Sequence, residues 1–275
     1  MIDPTKSLSY NITIQCSLDG FCFVLHDTEE NKIIDIELYQ TSESGDESLI
    51  MEALEKALFK KGLYEKPFHS VRYIAGNRFN TLVPEALFDK QQPESYFLFN
   101  HSLPKGHLLT WEALPQLKAV NVFAVSAQQE KHIHGLWSNV ETTHRSSVFL
   151  NAVMKEEPYE ATTNAYINVN SRSFDLAIVK EGALVFFNNF KFDTKDDFVY
   201  FLMFTLEQQQ LTAQEIPVYF TGLITGNSEI IKLCERYIKK IRFIKPDGNV
   251  NVDMALNSTP FQYYYLPYKT LSCES

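Results

Sequence analysis

Few side chains in this chain have types and spacings that suit chemistry. His132 and His134 form an "HIH" pair, with His144 ten residues on. On a helix, imidazoles two apart point to different faces; on a strand they share one. No Cys, Asp or Glu stands at ligand spacing, so the segment reads as solvated rather than metal-binding. Ser146 and Ser147 follow His144 and Arg145, but a nucleophile elbow needs flanking glycines and none is there. The four cysteines, Cys16, Cys22, Cys234 and Cys273, show no CxxC or zinc spacing. They read as small buried thiols in a reducing compartment. Two polar turns remain, "SLDG" at 17–20 and "NVNSRS" at 168–173, each between apolar runs.

The elements around those turns are legible. "YNITIQCSL" alternates like a strand, and Asp19-Gly20 is the favoured pair for a two-residue hairpin turn into "FCFVLHDT". "ENKIIDIELYQT" is a third strand. "SESGDESLIMEALEKALFKKG" is a helix with Leu49, Ile50, Ala53, Leu54, Ala57 and Leu58 on one face, Ser44 and Glu47 as a capping box and Gly62 as a stop. "HSVRYIAGN" is a further strand. From 79 to 160 the pattern is mixed: "FNTLVPEALF", "ESYFLFNHSL" and "LKAVNVFAVS" read as strand or mixed segments, "QEKHIHGLWSNV" as a helix, and "HRSSVFLNAVMKE" as helix or strand. The acidic "KEEPYEATTN" at 155–164 is the best linker.

After the linker the opening order returns. "AYINVN", "SFDLAIV" and "ALVFFNNFKF" are strands. "DTKDDFVYFLMFTLEQQQL" is a helix capped by Asp193 or Thr194, apolar enough over its surface to expect burial. "IPVYFTG" is a strand, "NSEIIKLCERYIKK" a helix and "IRFIKP" a last strand. "FQYYYLPY" at 261–268 reads as a terminal strand or a partner surface. Strand–strand–strand–helix–strand thus occurs twice, which suggests a duplicated domain. The predicted class is α/β, with a first lobe over 1–160 and a second over 161–275.

Composition limits function. With 275 residues and 45% hydrophobic content the chain is globular. A net charge of −9 argues against nonspecific nucleic-acid binding, which needs a basic face. The longest apolar run, 198–206, is too short to span a bilayer, and "MIDPTKSLSY" lacks a signal peptide's apolar core. A cytoplasmic protein is expected.

Two copies of this order, each opening with a hairpin, resemble the actin-like ATPase fold of actin, sugar kinases, Hsp70 chaperones and pilus-assembly proteins. "NVNSRSFDLAIVKEGALVFF" parallels that fold's phosphate hairpin, and "VYFTGLITGNSEIIKLCERYI" its adenosine segment. "SLDGFCFVL", "RFNTLVPEALF", "VNVFAVS" and the Cys-Glu ending are similar to a narrower bacterial group, domain-of-unknown-function family 3822. The resemblance implies a duplicated (ribonuclease H-like) fold with a mixed five-stranded sheet flanked by helices in each lobe. It also implies two hairpins whose backbone N–H groups cradle phosphate across a cleft, with acidic residues positioning Mg²⁺.

The residues at those places depart from the pattern. In the first hairpin the acidic place falls near Gln15 and the glycine near Ser17, followed by Asp19 and Gly20; a shifted alignment gives Asp19 a metal-facing role. In the second the acidic place falls on Asn168 and the glycines on Asn170 and Ser171. Gly222 and Gly226 match the adenosine segment. Neutral amides are poor Mg²⁺ ligands, and a side chain in a nest obstructs phosphate. The resemblance therefore implies a non-enzymatic interaction or scaffold protein with an unidentified, partly basic protein partner. The alternative is a nucleotide-binding ATPase or phosphoryl-transfer protein that uses Mg-ATP through shifted residues such as Asp19 and Asp175. Asp175 otherwise reads as the solvent face of a strand.

Overall fold

A computed structural model of the chain describes residues 2–41, 46–156 and 162–271. In chain order come β1 (Tyr10–Ser17), β2 (Gly20–Asp27), β3 (Lys32–Gln40), α1 (Glu47–Lys60), β4 (Ser70–Ala75) and β5 (Asn80–Pro84). Next are α2 (Pro93–Asn100), β6 (His107–Leu114), β7 (Ala119–Ser126), α3 (Ala127–Leu136), β8 (Val140–His144) and α4 (Arg145–Glu156). Then follow β9 (Thr163–Val169), β10 (Ser173–Lys180), β11 (Ala183–Lys191), α5 (Lys195–Gln208) and β12 (Val218–Gly222). The chain ends with α6 (Glu229–Cys234), β13 (Ile241–Phe243), β14 (Asn251–Val252) and α7 (Tyr265–Leu271). Two compact units result. One is Met1–Val148 with Asp247–Ser258 and Leu266–Ser275; the other is Phe149–Pro246 with Thr259–Tyr265.

In the first unit the main sheet has the order β14-β3-β2-β1-β4-β8. The β1–β2 and β2–β3 pairs are antiparallel, and β4 runs parallel to β1 and to β8. Ile50, Met51, Leu54 and Leu58 of α1 are buried in its core. Leu49, expected on that face, is 41% exposed, and Met51 takes the inward place. Asp46 caps α1 by accepting from the Ser48 N–H at 2.9 Å. Ser44 lies outside the described residues, and the Glu47 carboxylate accepts instead from Ser126 Oγ. Between β4 and β8 a three-stranded antiparallel sheet, β5-β7-β6, is inserted. It buries Val83, Val120 and Val122 with Phe97 of α2. "ESYFLFNHSL" is thus largely a helix: Pro93 sits in its first turn, where a missing N–H is harmless.

The second unit repeats the order as β11-β10-β9-β12-β13. Strands β9 to β11 form an antiparallel meander, and β12 joins β9 and β13 in parallel. Thr194 and Asp197 make a capping box at the start of α5. Phe198, Leu202 and Leu206 of α5 are buried against the sheet, but Tyr200 is 61% exposed and Phe204 47%. The expected burial of this helix therefore holds for one face and is corrected for the other: one stripe of α5 faces outward. "FQYYYLPY" is not a terminal strand either. It is a 3-10 turn, Phe261–Tyr264, running into α7, with Tyr264, Tyr265, Leu266 and Tyr268 buried. Tyr264, Tyr268 and Leu271 recur at helical spacing, which accounts for the helix. Cys16, Cys22 and Cys234 are buried free thiols, while Cys273 and residues 157–161 of the linker lie outside the described residues. Burial pushes the thiols of Cys22 and Cys234 up to about 12.

Candidate nucleotide site

The second hairpin is built on β9 and β10, where Asn168 stands directly opposite Asp175. Asn170, Ser171 and Arg172 connect the strands, and the Asn170 N–H closes the turn on Ser173 O at 2.8 Å. None of the three has a left-handed backbone. A phosphate nest is made by successive N–H groups in alternating right- and left-handed conformations. This turn does not have that form. Ser171 is exposed, and Asn170 Nδ2 reaches back to Asn168 O at 3.4 Å.

Asn168 faces inward. It is buried, and its Nδ2 donates to Asp175 Oδ2 at 3.0 Å. Asp175 is 0% exposed, so the solvent-face reading is corrected. The reason is that β10 is covered on both faces, with every residue but Lys180 buried. The amide makes the bond that an ionised carboxylate at 168 could not, because Asp175 takes a hydrogen-bond donor there.

Gly222 closes the same neighbourhood. It ends β12 beside Val169, with φ +86°. A Cβ on it would lie 2.1 Å from Val169 O and 2.9 Å from Asn168 Oδ1. The Leu223 N–H donates to that Val169 O at 2.8 Å. Glycine is thus demanded by the close approach of β12 to β9. Gly226 stands apart: the nearest atom to a Cβ there is Phe243 Cε2, at 3.9 Å. The structure brings Asn168, Asp175 and Gly222 together and leaves Gly226 and Ser171 outside that group.

The first hairpin is spent on its own turn. Ser17 pairs with Gly20, so the loop residues are Leu18 and Asp19 rather than Asp19-Gly20. Ser17 Oγ accepts from the Asp19 N–H at 3.2 Å and donates to Gly20 O at 3.3 Å. A Cβ on Gly20 would lie 2.0 Å from Tyr39 O of β3. Gly76, which carried no signal in the sequence, does in this unit what Gly222 does in the other. It follows β4, its N–H donates to Cys16 O at 2.7 Å, and a Cβ would lie 2.4 Å from that oxygen.

The histidines find separate partners. His132 Nε2 lies 3.1 Å from Glu55, and His134 Nε2 3.1 Å from Glu130. His144 is fully buried at the end of β8, just before α4, where the Ser146 N–H donates to its Nδ1 at 3.2 Å; burial holds the imidazole well below its usual pKa. A polar network missed in the sequence surrounds it. Asn80 Nδ2 donates to Asn121, Asn121 Nδ2 to Ser147, and Ser146 to Asn80. Glu112 accepts from Thr143 Oγ1 and the His144 N–H at 2.7 and 2.9 Å, with burial raising its pKa. Among the described residues no group of three or more His, Cys, Asp or Glu side chains is placed to hold a metal ion.

Residues 1–241 match the family described as "Protein of unknown function (DUF3822)". The chain belongs to the DUF3822 family. The sequence matches no curated protein. Among solved structures, this DUF3822 chain is similar to a Bacteroides thetaiotaomicron protein with an actin-like ATPase fold and unknown function. The TM-score is 0.80 at 18% identity, with all of both chains covered. It is also similar to a chain of a PilM–PilN type IV pilus biogenesis complex, with a TM-score of 0.64 at 10% identity and 98% and 100% of the two chains covered. The fold is therefore actin-like, α/β, with the duplicated order described above.

Mg-ATP is the ligand that the actin-like resemblance implies, and the residues of the second hairpin do not fit it. The 170–172 turn has no nest, the amide at 168 is turned to Asp175, and Asp175 is sealed from solvent.

Proposed function

We propose that this DUF3822 protein is a non-enzymatic, partner-binding member of the actin-like fold. The observation that carries the reading is the Asn168–Asp175 pair. The one carboxylate of the second hairpin is buried and satisfied by an amide, so Mg²⁺ would have to break that bond and hydrate a sealed strand. The similar chain from a PilM–PilN type IV pilus biogenesis complex is part of a protein–protein assembly, which supports a partner-binding use of the fold. The net charge of −9 favours a partly basic partner. Three buried free thiols agree with a cytoplasmic setting.

A second reading, a nucleotide-binding ATPase or phosphoryl-transfer protein, keeps one observation: packing gives no reason for Gly226. A thermal-shift titration with Mg-ATP and Mg-ADP to a few millimolar decides between them. A ligand at about 100 times its Kd adds about 2.7 kcal/mol to stability and visibly raises Tm. The expected result is no shift. A Mg²⁺-dependent rise would overturn the non-enzymatic reading.

A further inference from the structure

The outward stripe of α5 has a second wall. Tyr200, Met203 and Phe204 of α5 line, with Leu233 of α6 and the following Tyr237, an open groove of about 540 Å³. Tyr200, Phe204 and Tyr237 are 61%, 47% and 46% exposed, and the Tyr200 and Phe204 rings stack 5.9 Å apart. Solvent-facing aromatics grouped in one concave place mark a contact surface rather than scattered exposure.

The charges on the groove have one sign. Its two charged lining residues are Asp196 and Glu207. They bracket the apolar stripe near opposite ends of α5, eleven residues and about 16 Å apart along the helix. Neither carboxylate is in an ion pair among the described residues, whereas Lys195 and Lys232, the cations of α5 and α6, are tied to Glu229. A second copy of this chain, itself at −9, would bring like charge to these carboxylates, and an anionic bilayer would do the same. The complement is a cationic, apolar segment. Two helices form the walls, and a third helix seats its side-chain ridge in such a groove.

We infer that the α5–α6 groove docks an amphipathic helix of a partner protein. That helix carries apolar anchors at i, i+3, i+4 and i+7 and Lys or Arg at both ends. The inference rests on the partner-binding reading above and names the chemistry of the partner.

The probe is a synthetic, fluorescently labelled helical peptide with leucines at i, i+3, i+4 and i+7 and lysines at both ends. A second peptide carries glutamates in place of the lysines. Anisotropy titrations use the full chain, the Phe204→Asp variant and the Asp196→Lys/Glu207→Lys double variant. All these positions are exposed, and unchanged thermal unfolding verifies that each variant folds. The lysine peptide should bind saturably, more weakly by at least about tenfold to either variant and to the wild type at high salt, and the glutamate peptide should not bind. No saturable binding by the lysine peptide overturns the inference, as does equal binding of the two peptides or binding indifferent to both variants. Phe204-dependent sedimentation with phosphatidylglycerol vesicles would overturn it in favour of a membrane surface. Nucleotide plays no part in these measurements, so their failure is distinguishable from failure of the non-enzymatic reading.

Discussion

Replacing Gly222 with alanine separates a glycine needed by the fold from one needed by a ligand. At φ +86° the new side chain meets the left-handed penalty, about 1–2 kcal/mol. Its Cβ would also begin 2.1 Å from Val169 O and 2.7 Å from Val169 N. Both are backbone atoms of the central strand of a five-stranded sheet, and the oxygen is already held by the Leu223 N–H. No flexible side chain can move aside, so β12 must shift from β9, and overpacking of this kind costs about 1–3 kcal/mol. Together the expected loss is about 3 kcal/mol, a fall in Tm of roughly 6–12 °C for a chain of this size. Gly226→Ala is the control. Its nearest neighbour at 3.9 Å is an ordinary contact and its backbone is not left-handed, so it should change stability by less than about 0.5 kcal/mol. Thermal and urea unfolding of the two variants measure the difference. A Gly222→Ala protein that unfolds within about 2 °C of wild type would refute the packing account and return this glycine to the nucleotide reading.

Two further substitutions test the electrostatics. Asn168→Asp, which restores an acid to the hairpin, should destabilise rather than activate. It sets two buried carboxylates within about 3 Å, so one must stay protonated; at pH 7 that costs up to about 4 kcal/mol. The folded-state pKa is then raised above the unfolded value. The deficit should vanish near pH 4 and return as pH rises, so a pH-independent change in urea midpoint would rule the argument out. Asp247 has the opposite sign. Burial raises its pKa, but hydrogen bonds from Lys269, at 2.7 Å, from Tyr268 and from the Asn249 N–H outweigh burial and hold it at about 2. A depressed folded pKa stabilises above the unfolded value near 3.8 and is lost as pH falls to about 2. Solvent screening of this quarter-exposed carboxylate leaves about 1–2 kcal/mol. Asp247→Asn should cost that much at pH 7 and nothing near pH 2; an equal gap at both would sink the explanation.

The repeated order was legible because strands with β-branched alternation and a helix with a clear apolar face recur in the same sequence of elements. Legibility failed where local and tertiary signals disagree. In "ESYFLFNHSL" the aromatic β-formers obscured a helix that Phe97 anchors in the inserted sheet. The strand "HLLTWEAL", β6, carried no expectation, and its alternation of exposed and half-buried residues is broken at Leu109 and Thr110. At the candidate site the amide at 168 could be read, but not where its side chain turns. Polar residues on a strand are expected outward, and that rule fails on β10 because both of its faces are covered. The one-residue difference in the first hairpin has a similar source. Asp19-Gly20 suits a turn by propensity, but β3 passes so close to residue 20 that glycine is required inside the strand instead.

Duplication supplies an internal control on what the glycines are for. In both units a glycine at the end of the fourth core strand lies against a carbonyl oxygen near the end of the first. Gly76 meets Cys16 O in one unit, and Gly222 meets Val169 O in the other. Gly76 lies at a place to which the family pattern gave no ligand role, yet its steric requirement has the same form. The glycine of the adenosine segment therefore follows from two parallel strands converging, whether or not a nucleotide is near. The hairpin residues behave differently. Strand geometry sets no demand for an amide at 168, since β9 would pair with β10 through its backbone with any side chain there. What selects the amide is Asp175, a buried carboxylate that needs a donor. The second hairpin is thus organised around its own internal hydrogen bond, and the polar groups that would face a phosphate are already committed to holding the sheet together.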